Sequence, residues 1–148
     1  MSAEWAAAAF AGIAAAVAIV QVRIQIVSER RQAAFAHIRQ LTDILHSARQ
    51  FDPRTVRQET LGFYAGSVDQ LSPGAQHYLA FHDALEQLAL AYAVDAVDRG
   101  LVRQYVADLV KNPYTISEAF IREFRKAARD DTLYEHLLAL TETVRSSK

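Results

Sequence analysis

The sequence predicts an all-α protein in which an N-terminal transmembrane helix continues into a stalk helix and then into a compact bundle of about five helices. Its 148 residues include only 3 Pro and 5 Gly, which favours long helices over a turn-rich β fold. Residues 5–22 are almost entirely apolar. In the rest of the chain, apolar residues recur at helical spacing, and no alternating strand pattern competes with it.

The first element is an apolar run from Trp5 to Val22 in which only Gln21 is strongly polar. As a helix, its 18 residues would span about 27 Å, close to the roughly 30 Å of a bilayer's hydrocarbon core. The run has no polar face, so a soluble version would need complete burial. A cleaved signal peptide fits less well because "MSAE" supplies no basic segment before the run. We therefore predict a transmembrane anchor over residues 1–22.

Charge is unevenly distributed around this run, although the net charge is only −1. Residues 1–22 carry one acidic residue and no basic one, residues 23–49 carry five Arg against two acidic residues, and residues 50–148 are mildly acidic. Basic residues that flank one end of a span favour the cytoplasmic side. This predicts an inner (cytoplasmic) membrane protein with its N-terminus outside and its domain in the cytoplasm. No dense basic face is left in the domain, which argues against nucleic acid as a partner.

The second element is a basic stalk helix over residues 23–49 that is continuous with the anchor. Its apolar residues, together with Arg31 at one position, recur at alternating steps of three and four residues, as in a coiled coil. The positions are Ile24, Val27, Ala34, Ile38, Leu41, Leu45 and Ala48. This stripe suits either a coiled coil with another chain or packing against the protein's own domain. In the second case we expect an acidic side chain of the domain to receive Arg31, because an unpaired buried charge is costly.

Residues 50–148 are the predicted bundle, and its first two helices have strong start signals. Asp52 and Ser72 are N-cap residues, and each is followed by a proline at the first helical position. The first helix is predicted to end near Asp69. The second is predicted to stop at Gly100, a residue type that commonly follows a helix C-terminus.

Three shorter amphipathic helices complete the bundle. The segment "KNPYTI" separates the first from the second, and Asp130 or Asp131 is predicted to cap the last. Their apolar positions are Leu101, Val102, Tyr105, Val106 and Leu109, then Ile116, Phe120, Phe124 and Ala127, then Leu133, Leu137, Leu140 and Val144.

Residues that could carry chemistry are few. His82 and Glu86 in "HDALE" lie four residues apart on one helix face, a spacing found in metal sites and in acid–base pairs. A hydrogen-bonded polar pair inside a bundle explains the same spacing, and the Glu-x-x-His repeats of bundle metal sites are missing. The sequence has no cysteine, which excludes thiolate ligands and disulfides, and no phosphate loop or nucleophile elbow. We predict no cofactor, no metal and no catalytic residue, with His82 and Glu86 as weak metal candidates.

Interaction residues are predicted on the anchor and on the basic segment that follows it. They are Ala8, Gly12, Ala16, Arg23, Arg30 and Arg31. The three small residues recur at a four-residue spacing that lets helix backbones approach closely in a membrane. The three arginines follow the span, where anionic headgroups or acidic partner groups would meet them.

Two segments of the bundle, "YLAFHDALEQLALAYAVDAVDRGLVRQYVADLV" and "SEAFIREFRKAARDDTLYEHLLALTE", share a loose residue pattern with a known family. The matching positions are Leu79, Phe81, Glu86, Gly100, Leu101, Phe120, Ile121, Arg125, Tyr134 and Leu137. In this pattern and in its N-terminal span, the chain resembles bacterial proteins of unknown function that have one N-terminal membrane helix and an all-α cytoplasmic domain. The resemblance implies the fold and the topology, and it implies no reaction.

The sequence thus predicts a single-pass, membrane-anchored helical interaction protein, not an enzyme. We expect an accessory or scaffold subunit of a membrane complex, whose partners are the membrane and either a membrane protein or a second copy of the chain. Two alternatives from other classes stay open. One is a small hydrolase or metal-dependent enzyme that uses His82 and Glu86, and the other is a soluble helical dimer with its first helix buried.

Overall fold

The computed structural model describes the backbone of residues 3–111 and 118–147, with side chains from residue 11 onward. Within these ranges the chain forms helices joined by turns and contains no strand, as the sequence predicts. The predicted break at "KNPYTI" and the predicted core residue Ile116 lie outside the described residues, apart from Lys111. The helices are α1 (Ala3–Ala48), α2 (Pro53–Tyr64), α3 (Pro73–Ala93), α4 (Arg99–Val110), α5 (Glu118–Ala128) and α6 (Glu135–Ser146).

Helix α1 joins the predicted anchor to the predicted stalk without a break. Residues 11–29 are exposed, whereas the second half of the helix packs on α3 and α4. Ala34 and Leu41 are completely buried in that contact. From Ala34 onward the apolar stripe of the stalk therefore packs on the protein's own domain, the second of the two predicted alternatives, whereas Ile24 and Val27 at its start are exposed.

Helix α3 lies at the centre of the bundle and contacts α1, α2, α4 and α6, while α5 packs on α2. It runs antiparallel to α1. Phe51, just past the end of α1, stacks on His77 near the start of α3 with ring centroids 5.9 Å apart. At the other end, Arg30 of α1 contacts Asp95, which follows the end of α3. The largest fully buried apolar side chains are Leu41, Leu85, Leu88, Val97, Val102, Val106, Ile121 and Leu137.

Both predicted N-caps are confirmed. The Asp52 carboxylate accepts a hydrogen bond from the backbone N–H of Thr55 at 3.1 Å, and the Ser72 hydroxyl accepts one from the backbone N–H of Ala75 at 3.2 Å. These bonds satisfy amide groups that a helix N-terminus otherwise leaves without a partner. These two helix starts could be predicted from the sequence because an N-cap residue and its helix are adjacent along the chain.

The predicted end of α3 at Gly100 is wrong. Asp95 adopts the left-handed conformation, with φ of 58°, and reverses the chain where a glycine was expected to do so. Asp98 then starts α4 as its N-cap by accepting a hydrogen bond from the backbone N–H of Leu101 at 3.0 Å. Gly100 therefore lies in the first turn of α4, not after the end of α3.

Two other boundaries also differ from the prediction. Helix α2 ends before Asp69, because Gly66 takes a left-handed φ of 76° shortly after the last helical residue. Helix α6 begins later than expected. Asp130 accepts hydrogen bonds from Thr132 within a turn and does not cap α6. The residue before α6 is Tyr134, in the left-handed conformation, and its own side chain makes no capping hydrogen bond.

Candidate functional site

The apolar half of α1 is open along its described length. Over Ala11–Ala48, α1 is long enough and contains a window apolar enough to cross a membrane, and none of that window is buried in the protein. Its exposed large apolar side chains are Ile13, Val17, Ile19, Val20, Val22, Ile24, Ile26 and Val27. A core helix of a soluble domain would bury such residues, whereas nothing in residues 11–111 and 118–147 covers this half of α1.

The joint between α1 and the bundle is formed at Arg30. Its guanidinium Nη1 lies 2.7 Å from the Asp95 carboxylate, which also receives Arg99 Nε at 3.2 Å. The backbone N–H of Asp98 donates to the carbonyl oxygen of Arg30 at 3.1 Å. One ion pair, Arg30–Asp95, and one backbone hydrogen bond thus hold the α3–α4 loop against α1 at the point where α1 leaves the bundle.

Further along α1, apolar side chains pack the helix against α3 and α4. Ala34 and Leu41 enter the core, and Ile44 and Leu45 pack partly buried against it. Tyr105 on α4 packs partly buried against the same core, and this burial raises the Tyr105 pKa. The second half of α1 is therefore an integral bundle helix, and its position is fixed relative to α3 and α4.

Arg31 is exposed, so the prediction that it enters the buried face of the stalk is wrong. The residue that meets an acidic side chain of the domain is Arg30. A straight α-helix has 3.6 residues per turn and drifts by about 20° per heptad from a strict 3.5-residue spacing. The buried face therefore passes through Arg30 and Ala34, and Arg31 lies beside it.

The other predicted interaction residues lie on the open half of α1. A Cβ atom added to Gly12 would meet no atom within 4 Å, so no other part of the described chain occupies that face of the helix. Ala16 and Arg23 are exposed, whereas the side chain of Ala8 lies outside the described residues. Among the members of the set whose side chains the structure describes, all but Arg30 are thus available to a membrane or a partner.

His82 is fully buried in a cluster of aromatic rings. Its Nδ1 lies 2.9 Å from the carbonyl oxygen of Tyr78, while its Nε2 has no hydrogen-bond partner among the described residues. Burial lowers the pKa of His82 to about 4, and Arg57 acts in the same direction. His82 is therefore a neutral core side chain. The rings closest to it are Tyr78, Phe81, Phe120 and Tyr134, with centroids 4.4–5.8 Å away.

Glu86 caps helix α6 from a distance of fifty residues in sequence. Its Oε1 accepts hydrogen bonds from the backbone N–H of His136 at 3.1 Å and from His136 Nδ1 at 2.8 Å. Its Oε2 accepts one from the backbone N–H of Leu137 at 2.8 Å. Nearby on α3, Asp83 accepts a hydrogen bond from the Tyr134 hydroxyl at 2.9 Å. Two carboxylates of α3 thus hold the start of α6, where a negative charge is also favoured by the helix dipole.

The two weak metal candidates, His82 and Glu86, therefore have different structural surroundings. His82 points into aromatic packing, whereas both carboxylate oxygens of Glu86 are occupied by α6. Across residues 3–111 and 118–147, no group of three or more His, Cys, Asp or Glu side chains is placed to hold a metal ion. The geometry supports structural roles for both residues.

Sequence reasoning missed Asp95 and Asp98, which form the joint together with Arg30. The signal available was the pair of aspartates in "AVDAVDRG", since aspartate is favoured both as an N-cap and in left-handed turn conformations. Glu86 was noted for its spacing to His82, but no local pattern could show that it caps a helix fifty residues away.

Comparison with known proteins identifies a family for nearly the whole chain. Residues 7–144 match the family described as a domain of unknown function, DUF4760. This range contains both the open apolar half of α1 and the bundle, and it confirms the predicted resemblance to a family without an assigned function. No curated protein and no solved structure matches the chain.

Proposed function

We propose that this chain, which belongs to the DUF4760 family of domains of unknown function, is a single-pass membrane protein that serves as an accessory or scaffold subunit of a membrane complex. Its helical domain would hold or modulate a membrane-bound partner. The observation that carries the proposal is the continuity of α1, which is open and apolar in its first half and built into the core in its second.

This continuity couples the span mechanically to the domain. Because Leu41 is completely buried and the α3–α4 loop is held at Arg30, α1 cannot tilt or rotate freely without moving the bundle. A flexible linker would instead leave the domain free to reorient relative to the membrane. A rigid joint of this kind suits a protein that fixes a partner at a set distance and angle from the bilayer.

The charge pattern supports an orientation for the anchored protein. The first 22 residues carry no Lys or Arg, whereas Arg23, Arg30 and Arg31 follow the apolar run. Under the positive-inside rule, the N-terminus would lie outside and the bundle in the cytoplasm, with α1 crossing the inner (cytoplasmic) membrane. The mildly acidic bundle favours a protein partner over nucleic acid.

The partner is proposed to meet α1 inside the bilayer. Gly12 and Ala16 lie on the open half of the helix, and no other part of the described chain covers Gly12. Small residues at this spacing allow close contact between helix backbones. The contacting helix would belong to a membrane protein or to a second copy of this chain.

The two alternatives gain less support from the geometry. An enzyme that uses His82 and Glu86 would need an accessible histidine and a free carboxylate, but His82 is fully buried and Glu86 caps α6. A soluble dimer would have to cover the whole exposed stripe of α1 with a second chain. The exposed apolar residues of α1 begin far from the bundle, so the bundle of a second chain could not reach them all. Only α1 of the second chain could cover them.

The proposal is tested by purifying tagged full-length protein from its native membranes in a mild detergent and identifying what co-purifies. Wild type is compared with Gly12→Leu and with Ala14→Leu, which places the same side chain about 160° around the helix. We expect a membrane protein or a second copy with wild type and Ala14→Leu, and less of it with Gly12→Leu.

Two other outcomes have separate meanings. A wild-type chain that is monomeric and carries no other protein contradicts the scaffold proposal. Equal recovery with Gly12→Leu and with Ala14→Leu keeps the scaffold proposal and contradicts the intramembrane contact at Gly12.

A further inference from the structure

The end of the bundle nearest to the open half of α1 exposes apolar side chains. Val94, at the end of α3, has 66% of its surface exposed, the largest fraction among the exposed large apolar residues of the described chain. Leu90, one turn earlier on the same face, is 45% exposed, and Ala93 and Ala96 beside it are exposed as well. We call these four residues the apolar tip.

The fold fixes the position of the apolar tip along α1. Helix α3 runs antiparallel to α1, so its C-terminal end points back toward the open half of α1. The loop that follows it is attached at Arg30 by the Asp95 carboxylate and by the Asp98 backbone N–H. The apolar tip therefore cannot swing away from α1, and it lies at about the level of Arg30 along the helix axis.

This level is close to the bilayer surface if α1 spans the membrane. At 1.5 Å rise per residue, Arg30 lies about 12 Å along the helix axis beyond Val22, the last residue of the predicted anchor. It lies about 4.5 Å beyond Val27, the last exposed large apolar residue of the open half of α1. The headgroup layer on each side of a bilayer is roughly 5–8 Å thick. The apolar tip is thus at headgroup level or just above it, where apolar side chains of a peripheral surface insert.

From this geometry we infer that the apolar tip inserts into the lipid interface and gives the bundle a second contact with the membrane, an inference that rests on the proposed anchoring by α1. With one contact through α1 and one through Val94 and Leu90, the domain would hold one orientation relative to the bilayer plane.

The charges at this end are compatible with a lipid surface. The Asp95 carboxylate is paired with both Arg30 and Arg99, and the Asp98 side chain caps α4, so both acidic groups are engaged within the protein. Arg31, at the same level, is exposed and can meet an anionic headgroup. A protein partner fits this end less well, because two large apolar side chains fall far short of the roughly 800 Å² per partner of a stable interface.

The absence of cysteine from the sequence makes a depth measurement direct, because single cysteines can be introduced into the full-length chain one at a time. A nitroxide label is placed at Val94→Cys, at Val68→Cys and at Ile19→Cys, in vesicles of phosphatidylethanolamine and phosphatidylglycerol. Val68 is a matched control, since it is also an exposed valine, at 37%, and lies in the loop before α3, at the opposite end of that helix. Ile19 reports on the span itself.

Electron paramagnetic resonance then compares collisions of each label with oxygen, which concentrates in lipid, and with a water-soluble nickel chelate. We expect the label at Val94 to be several-fold less accessible to the chelate than the label at Val68, with oxygen access retained. A label at Val94 that is as accessible to the chelate as the label at Val68 overturns the inference, and so does a label shielded from both reagents, which indicates protein contact.

The label at Ile19 separates this inference from the proposed anchoring. If Ile19 is lipid-exposed while Val94 is in water, the anchor stands and the second membrane contact is wrong. If Ile19 itself is accessible to the chelate, the anchoring proposal fails, and the inference fails with it.

Discussion

Replacement of Leu41 by Ala tests whether α1 is an integral part of the bundle. Leu41 is completely buried, on a helix that also carries the open apolar segment. If α1 only touched the domain, this change would leave the stability of the bundle almost unaltered. If α1 is a core helix, the change removes a buried side chain from the contact with α3 and α4 and leaves a cavity.

The size of the effect follows from the burial. The substitution removes three carbon atoms at about 0.8 kcal/mol each, and incomplete closure of the cavity adds to this. We expect a loss of about 3 kcal/mol, within the roughly 2–5 kcal/mol found when buried leucines are truncated to alanine. Against the roughly 5–15 kcal/mol of a typical domain, this is a large fraction, and it corresponds to a fall in Tm of about 6–12 °C.

The assay is unfolding of the full-length protein in detergent by denaturant, followed by near-ultraviolet circular dichroism of its tyrosines. All six tyrosines lie within residues 50–148 and none in the apolar half of α1, so their signal reports on packing of the domain. The control is Phe35→Ala, which removes a larger side chain from the same helix at a position that is 53% exposed. A loss below about 1 kcal/mol for Leu41→Ala, equal to that of the control, would show that α1 is not a core helix of the bundle, since buried and exposed positions must differ.

Three further predictions use the same assay or amide hydrogen exchange. Glu86→Ala should lower the free energy of unfolding by about 2 kcal/mol because α6 loses its cap, while Glu86→Gln keeps an acceptor and should lose less; equal losses would contradict the capping role. His82 has a folded pKa of about 4 against 6.5 unfolded, so the unfolded chain binds more protons between these values and stability falls as the pH drops through this range. Between pH 7 and pH 5 the loss should be about 2 kcal/mol, and His82→Phe should reduce it; an unchanged pH dependence would be inconsistent with the burial. Asp95→Asn should speed amide exchange in the α3–α4 loop, whereas Arg31→Leu should change the free energy of unfolding by less than about 0.5 kcal/mol. A larger effect of Arg31→Leu than of Asp95→Asn on loop exchange and on stability would mean that Arg31, not Arg30, holds the loop.

The parts of the fold that the sequence predicts well are those set by neighbouring residues. The cap-and-proline pairs at Asp52 and Ser72 start their helices where expected, because the capping bonds span only three residues. The long α1 follows from an uninterrupted run without Gly or Pro in its stalk half. The choice between a coiled coil and packing on the domain could not be made, since both use the same apolar stripe.

The parts that were missed depend on tertiary contacts. Helix α6 takes its cap from Glu86, fifty residues away, so a search for a local cap pointed to Asp130 instead. Asp95 reverses the chain in a conformation that glycine adopts more readily, and its bonds to Arg30 and Arg99 favour aspartate there. The pairing of Arg30, not Arg31, depends on the helix phase over several turns, which a 3-4 pattern fixes only approximately.

Extraction with alkaline carbonate of membranes that contain the full-length chain shows directly whether α1 anchors the domain in a membrane. We expect wild-type protein to stay with the membrane pellet and to need detergent for release. Val17→Arg places a charge inside the apolar run, which raises the free energy of membrane insertion by about 2.5–3.5 kcal/mol, so this variant should be released in part. Phe35→Arg, outside the run, should stay with the pellet. Release of the wild-type chain into the carbonate supernatant, as a species that remains soluble without detergent, would contradict the claim that α1 anchors the domain in a membrane.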